Sequence, residues 1–309
     1  MLFDAPVGVA TIAVLEVRER TGQSSMRDAL DRADPRAVDR AVAAVESMTF
    51  GDFLATVLDA AHVVAGPWTP SAPEDLAQAY RSHPTRQPIA QAIAARFATQ
   101  LRAPLDYSRQ EWWWHDNVAD DFRHPRPVSA NYEQVYSNGE FTWAGVWTVT
   151  SPPPEIHRRL ESAWDFAELA SRWSVPVRPD ARVYPINGPN DWVALVERFP
   201  HVAEREHYGW ELPGVNSRRY PDDAGLEAAS EGRARRSSIT RHVLPEWRAV
   251  ATRYDGVHLS WVGFLTCEGY IAELPSGGVT MLRYWGSERT HWLTDVLGEP
   301  VKLPESVRS

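Results

Sequence analysis

Apolar residues recur at helical spacing through most of the first third of the chain, which predicts a small helical bundle over residues 20–105. The periodicity divides this region into helices at about 24–48, 49–65, 71–82 and 85–101. Asp34-Pro35 is expected to interrupt the first of them, because the residue before a proline avoids the helical region. The apolar run at 7–17 is too short to span a bilayer, which needs ~20 residues, and predicts a core strand or the start of a buried helix.

The clearest strand pattern lies in the middle of the chain. Asn138-Gly139 accepts the positive φ that a tight hairpin turn demands, and apolar and polar residues alternate after it. One face of the second strand carries Phe141, Trp143, Trp147 and Val149. We therefore predict a hairpin over residues 131–151 and a helix from 155 to 173.

The last third of the chain mixes both patterns. It predicts a strand at 181–186 and helices at 191–199 and 244–254. Segments 257–266, 270–274 and 279–285 predict an antiparallel meander over 257–285, and Ser287 can cap a helix that begins at Glu288.

These elements predict an α+β fold in two regions. A mainly helical N-terminal region, residues 1–120, is expected to pack with residues 121–309. The second region contains the hairpin, the meander and several helices around a mixed or antiparallel sheet.

Composition narrows the function classes. The chain has 309 residues, with Lys+Arg 32 against Asp+Glu 41, a net charge of −9. This balance argues against general nucleic-acid binding. A lone cysteine, Cys267, excludes a disulfide scaffold or a zinc finger and suits a reducing compartment, so we expect a soluble cytoplasmic protein without membrane association. No phosphate-binding glycine loop or G-x-S-x-G elbow occurs, and no cofactor is identified.

Two polar groups near the C-terminus are candidates for chemistry. Alternation along the predicted strand 257–266 places His258 and Ser260 side by side, where both can face a ligand; the alternative is a buried histidine bonded to the backbone. The segment 283–292 combines arginine with tryptophan at a predicted strand end and helix start, which favours anion binding. Its polar and aromatic residues are Arg283, Trp285, Glu288, Arg289, His291 and Trp292.

We predict that His258 and Glu288 do acid–base work. The predicted ligand-binding residues are Arg283, Trp285, Trp261, Ser260 and Arg289. The alternative for the arginines is surface pairing with glutamate, and for the tryptophans a place in the core.

Three consecutive tryptophans, Trp112 to Trp114, precede a group of imidazoles and carboxylates. We interpret the tryptophans as an anchor between the helical part and the sheet, and we predict no metal site. The alternative is a divalent-metal site built from His115, Asp116, Asp120 and His124.

Fourteen tryptophans is a high count for 309 residues, and tryptophan supplies stacking surface for rings, sugars and bases as well as core volume. The sequence therefore favours a protein that handles a small molecule, either as an enzyme or as a binder. Its pocket would be lined by tryptophan and would hold an anionic ligand with Arg, His and Glu groups. The alternative is a non-enzymatic inhibitor or neutralising protein that covers a protein partner with an acidic aromatic surface.

Overall fold

The computed structural model describes residues 3–20, 33–65, 73–114, 146–163, 171–202, 241–283 and 285–304. Within them the chain has an α+β fold, with helices in the N-terminal part and a mixed sheet formed mainly by the C-terminal part. The helices are α1 (Pro6–Arg18), α2 (Pro35–Ser47), α3 (Phe50–Ala65), α4 (Pro73–Arg96), α5 (Ala98–Leu101), α6 (His157–Ala163), α7 (Pro189–Arg198), α8 (Trp247–Ala251) and α9 (Trp261–Cys267). The strands are β1 (Gln110–Trp114), β2 (Val146–Thr150), β3 (Ser171–Ser174), β4 (Val183–Ile186), β5 (Pro200–Val202), β6 (Val243–Pro245), β7 (Gly256–Leu259), β8 (Ile271–Glu273), β9 (Val279–Met281), β10 (Arg289–Trp292) and β11 (Val301–Lys302).

Helix α1 is the centre of the helical part. Its residues are buried from Pro6 to Glu16, so the apolar run at 7–17 forms a buried helix, one of the two predicted alternatives. The helix packs against α3 and α4 on one side and against α9 on another. Because α9 directly follows strand β7, α1 joins the helical bundle to the sheet.

Within the described residues, the bundle follows the predicted helices with one difference. Asp34 caps α2 by accepting a hydrogen bond from the backbone N–H of Arg36, and Pro35 occupies the first turn, so a helix begins at the pair where an interruption was predicted. Residues 21–32, before this cap, lie outside the described residues. The predicted break between residues 82 and 85 is wrong, because α4 continues through both Pro84 and Pro88.

The main sheet has seven strands in the order β11-β3-β1-β2-β10-β7-β4. All neighbours pair antiparallel except β7 and β4, which run parallel. Strand β10 therefore lies between β2 and β7, with Thr290 opposite Thr148 on one side and His258 on the other. Two separate pairs, β5 with β6 and β8 with β9, complete the β structure of the described residues.

The predicted strand 257–266 is wrong beyond residue 259. The chain leaves β7 and forms α9, which Ser260 caps through its hydroxyl oxygen and the backbone N–H of Gly263. A Cβ at position 263 would lie 2.2 Å from the carbonyl oxygen of Ile186, so only glycine allows this approach of α9 to β4. The segment is apolar on all sides, and such a pattern does not distinguish a short buried helix from a strand.

The predicted helix beginning at Glu288 is also wrong. Gly286 adopts a left-handed φ of 75°, and after it the chain enters β10. Threonine, histidine and tryptophan there are buried between two partner strands, whose backbone hydrogen bonds outweigh the capping tendency of Ser287. The predicted strand 279–285 likewise ends at Met281, so the predicted three-stranded meander does not form.

Other predicted elements agree only in part. The second hairpin strand forms as β2, while the Asn138-Gly139 turn and the first hairpin strand lie outside the described residues. Of the helix predicted over 155–173, the structure shows α6 after a short 3-10 turn, while β3 occupies the predicted end and residues 164–170 lie outside the described residues. Helix α7 confirms the helix predicted at 191–199. Among the described helices, none combines the length and apolar character required to cross a membrane.

Candidate functional site

The neighbouring strands β1, β2, β10 and β7 carry polar side chains on one face of the sheet. We call this set the polar row, because its members extend across the strands side by side. It consists of Gln110, Thr148, Thr150, Thr290, His258 and Glu288. Glu288 precedes β10 and lies on the same face as Thr290, since alternate residues of an extended chain share a face.

Hydrogen bonds connect the polar row across the sheet. Thr150 donates to the carboxyl group of Glu288 from both its hydroxyl group (2.8 Å) and its backbone N–H (3.2 Å). Gln110 donates to the hydroxyl oxygen of Thr150 and accepts from Thr148. Trp292 donates its indole N–H to the hydroxyl oxygen of Thr148 at 2.8 Å. These groups therefore satisfy one another inside the protein.

His258 and Glu288, the two predicted acid–base residues, lie together in this row. The Nδ1 atom of His258 is 3.7 Å from Oε1 of Glu288 and 3.0 Å from the hydroxyl oxygen of Thr290. Burial raises the pKa of Glu288 to about 8 against the opposing hydrogen bonds of Thr150, and it lowers the pKa of His258 to about 4. At neutral pH the carboxyl group is therefore protonated and the imidazole is neutral.

This geometry differs from a nucleophile–histidine–acid triad. Such a triad uses both imidazole nitrogens, one for the nucleophile and one for the acid. Here the hydroxyl group of Thr290 and the carboxyl group of Glu288 both approach Nδ1 of His258. The pair can exchange a proton, but it does not prepare Thr290 for nucleophilic attack.

The opposite face of the same strands carries a group of aromatic rings around one histidine. We call it the indole cluster; it comprises Trp147, Trp247, Trp285, His291 and Arg289. The ring of His291 stacks on Trp147 with centroids 4.4 Å apart and an interplanar angle of 1°. Trp247 meets His291 edge-on at 5.2 Å, and Trp285 meets Trp147 edge-on at 4.8 Å. The guanidinium of Arg289 lies over Trp147, 5.5 Å from the ring centroid.

The indole cluster contains buried polar atoms that have no hydrogen-bond partner among the described residues. They are both ring nitrogens of His291 and the indole nitrogens of Trp247 and Trp285. The three side chains that carry these atoms are at most 2% exposed. Burial lowers the pKa of His291 to about 3, so its imidazole is neutral at physiological pH. Trp147 is only partly buried and connects the cluster to the surface.

A second polar group on this face is internally paired. The carboxylate of Glu111 accepts hydrogen bonds from Ser151 (2.6 Å) and from the indole of Trp113 (3.0 Å). Arg172 lies 3.6 Å from the same carboxylate and contacts His157 at 2.9 Å. The polar atoms of this group therefore have partners within the protein, whereas the ring nitrogens of the indole cluster have none among the described residues.

The predicted site residues fall into three places. His258 and Glu288 lie in the polar row, whereas Arg289 and Trp285 belong to the indole cluster on the other face. Arg283 is buried two residues after β9 ends. The sheet therefore separates the acid–base pair from Arg289. These groups do not line the one common pocket that was predicted from the sequence.

Ser260 and Trp261 belong to α9 and not to the strand face on which they were predicted. The hydroxyl group of Ser260 donates to the carbonyl oxygen of Ile186 and accepts from Gly263, so both of its hydrogen-bonding functions are used within the fold. Trp261 lies in the first turn of α9 and packs edge-on against Phe264. The expectation that His258 and Ser260 lie side by side on one strand is wrong, because Ser260 follows the end of β7.

Ser260→Ala is expected to lower the free energy of unfolding by about 1–2 kcal/mol, because it removes a helix cap that also bonds β4. Urea unfolding measures this loss. Ser47→Ala is the matched control, since Ser47 is exposed and bonds only within its own helix. Equal stabilities of the two variants would contradict the structural role of Ser260.

Sequence reasoning missed several members of both groups. Gln110, Thr150 and Trp247 gave no local pattern, because they come from segments far from β10 in the chain and meet it only through the sheet and the core. The alternation of Trp147 and Val149 predicted the face of β2 correctly, but not its neighbour β10. His291 belongs to the aromatic and polar segment 283–292. Because a helix was predicted to begin within that segment, the position of His291 in a strand was not predicted.

Within the described residues, no group of three or more His, Cys, Asp or Glu side chains is arranged to hold a metal ion. The alternative metal ligands His115, Asp116, Asp120 and His124 lie outside those residues. Cys267 is buried, and burial raises the pKa of its thiol. The thiolate required of a nucleophile is therefore disfavoured.

Comparisons with known proteins do not add to this geometry. No protein-family model matches the chain, and neither a curated protein nor a solved structure matches it.

Proposed function

We propose that this protein binds a small planar molecule at the indole cluster. The observation that carries the proposal is the group of four ring nitrogens on His291, Trp247 and Trp285 that have no partner among the described residues. Each unsatisfied polar group in a protein interior costs about 1–3 kcal/mol, and folded proteins retain few of them. A ligand that supplies the missing partners removes this cost.

The chemistry of the cluster favours hydrogen-bond acceptors on the ligand. Both indole groups can only donate, and a neutral imidazole donates from one of its nitrogens. The guanidinium of Arg289 lies over the ring of Trp147 and adds a cation–π contact to the cluster. Trp147 is only partly buried, and its indole adds stacking surface at the edge of the cluster.

Binding is a better-supported function than catalysis by His258 and Glu288. Their protonated carboxyl and neutral imidazole could pass one proton, as acid–base chemistry requires. However, the sheet lies between this pair and the indole cluster, and Thr150 and Thr290 already occupy its polar atoms. We therefore propose a ligand-binding protein in which His258 and Glu288 have a structural role within the sheet.

The proposal is tested by nuclear magnetic resonance of the indole N–H groups in isotope-labelled protein, titrated separately with benzoate and with uracil. Saturable shifts are expected for Trp247 and Trp285. The signals of Trp192 and Trp292 are internal controls, because their N–H groups already bond Thr280 and Thr148. Tryptophan-to-phenylalanine variants assign the signals.

The matched variants are Trp285→Phe and Trp192→Phe. Trp285→Phe is expected to weaken binding of the probe roughly tenfold, the value of one hydrogen bond to a buried group. Trp192→Phe, also a fully buried indole, should leave the affinity unchanged. If neither benzoate nor uracil shifts the signals of Trp247 and Trp285, the proposed binding function is wrong.

A further inference from the structure

We infer that the ligand of the indole cluster is a planar lactam of the nucleobase type, with N–H and C=O groups on one ring. This inference rests on the proposed binding function and names its ligand class. It follows from the kinds of polar atom that lack a partner, beginning with His291.

The imidazole of His291 presents one acceptor as well as donors. Its two nitrogens are both buried without partners among the described residues, and a neutral ring carries its proton on only one of them. Whichever nitrogen lacks the proton accepts a hydrogen bond. Benzoate or a simple carboxylate offers acceptors alone and would leave that nitrogen unsatisfied.

The full set of unpartnered atoms is therefore three donors and one acceptor. The donors are the indole N–H groups of Trp247 and Trp285 and the imidazole N–H of His291. A ligand that complements this set carries several acceptors together with at least one N–H or O–H. Lactam rings have this mixture, because each carbonyl oxygen accepts two hydrogen bonds beside a donating N–H.

The packing of the rings favours a flat ligand over a sugar. One face of Trp147 is covered by His291, which stacks on it in a parallel arrangement, and Trp285 approaches the same indole edge-on. The unpartnered atoms lie on the edges of their rings, where in-plane hydrogen bonds form. A flat ring presents its own donors and acceptors in its plane, which matches such atoms, whereas the hydroxyl groups of a sugar point away from its ring on both sides.

A comparison of probes on the unmodified protein tests this assignment. Uracil is expected to bind roughly tenfold or more tightly than N,N′-dimethyluracil, which keeps the ring and both carbonyl groups but has no N–H. Thymine controls for size, since it adds a methyl group and keeps both N–H groups, and it should bind within a few-fold of uracil. Benzoate and glucose are expected to bind more weakly than uracil.

His291→Phe examines the residue that supplies the acceptor. Phenylalanine keeps a ring against Trp147 and Trp247 but has no nitrogen, so the preference for uracil over N,N′-dimethyluracil should disappear. If this variant does not fold, the comparison of probes on the unmodified protein still tests the lactam assignment. Equal affinities for uracil and its dimethyl derivative, or tighter binding of benzoate or glucose, would overturn the lactam assignment and leave the binding function intact. No binding by any probe would overturn both.

Discussion

Glu16→Leu is expected to lower the free energy of unfolding by about 3–5 kcal/mol, the usual cost of removing one partner from a buried ion pair. The carboxylate of Glu16 is fully buried in α1 and accepts from Nη2 of Arg86 at 3.0 Å and from Nε of Arg20 at 2.7 Å. It also accepts from the backbone N–H of Asp34, before α2. One carboxylate thus links α1, α2 and α4.

The size of this effect comes from the arginine that remains. The side chain of Arg86 is 1% exposed, and burial lowers its pKa while the charge of Glu16 opposes that shift. Without Glu16 the guanidinium stays in the interior with its principal counter-charge removed. Arg20 is more accessible, at 13% exposure, and can turn toward water.

Urea unfolding of Glu16→Leu, Arg86→Met and the double variant measures the coupling between the two side chains. The double variant is expected to be more stable than the sum of the single losses predicts, because no unpaired charge remains inside. Asp59→Ala is the surface control. Its pairs with Arg18 and Arg159 are exposed, so its loss should be below about 1 kcal/mol. Strictly additive losses for Glu16 and Arg86 would show that burial of this pair is not what stabilises the bundle.

The sequence predicted those elements whose burial is one-sided. Helix α2 places Ala37, Val38, Ala41 and Val45 inward at helical spacing, and Trp192, Leu195 and Val196 do the same in α7. Each helix also has exposed polar residues on its other side, so the period of the apolar positions was visible. The same reason explains why the overall α+β class could be predicted.

Elements buried on all sides gave no such period. Strand β10 is buried at every residue, and α9 is buried at all but one. For both, the choice between helix and strand depended on partners that are distant in the chain. Thr150 and Glu288, for example, bond across 138 positions. Their contact depends on the order of strands in the sheet, which no local pattern contains.

The sequence pointed to some residues of the candidate site but not to their arrangement. His258, Glu288, Arg289 and Trp285 were selected because their chemistry is unusual near a strand end. Their division between the two faces of the sheet follows from strand register, where one residue of displacement moves a side chain to the opposite face. Because a helix was predicted at Glu288, the alternation of a strand was not expected there. The placement of Glu288 and Arg289 on opposite faces was therefore not predicted.

The free energy of unfolding is expected to be largest near pH 6.5 and to decrease on both sides. Burial raises the pKa of Glu288 from 4.5 to about 8, so between these values the folded protein holds one proton more than the unfolded chain. Stability is therefore lost as the pH rises, by about 1.4 kcal/mol per pH unit, until the carboxyl group ionises in the folded state. Below pH 6.5 buried histidines reverse this trend.

The acid side follows from His258, His242 and His291. Burial lowers their pKa values from 6.5 to about 4, about 4 and about 3, so the unfolded chain binds three protons that the folded protein does not. Glu288 offsets one of them, which leaves a net of two protons from these four groups between pH 4.5 and 6.5, and His157, whose pKa burial also lowers, acts in the same direction. Stability should consequently fall at least twice as steeply on the acid side as on the alkaline side.

Glu288→Gln isolates the contribution of the carboxyl group. Glutamine resembles the protonated acid and can still accept from Thr150, but it does not ionise. Urea unfolding from pH 5.5 to 9 should show no decrease between pH 6.5 and 8 in this variant, and a steeper acid side than the unmodified protein has. Glu46→Gln, at an exposed position, should retain the original profile. A flat profile of the unmodified protein between pH 6.5 and 8 would mean that Glu288 is already ionised inside the sheet, and the polar row would then have to be interpreted as a site that stabilises a buried negative charge.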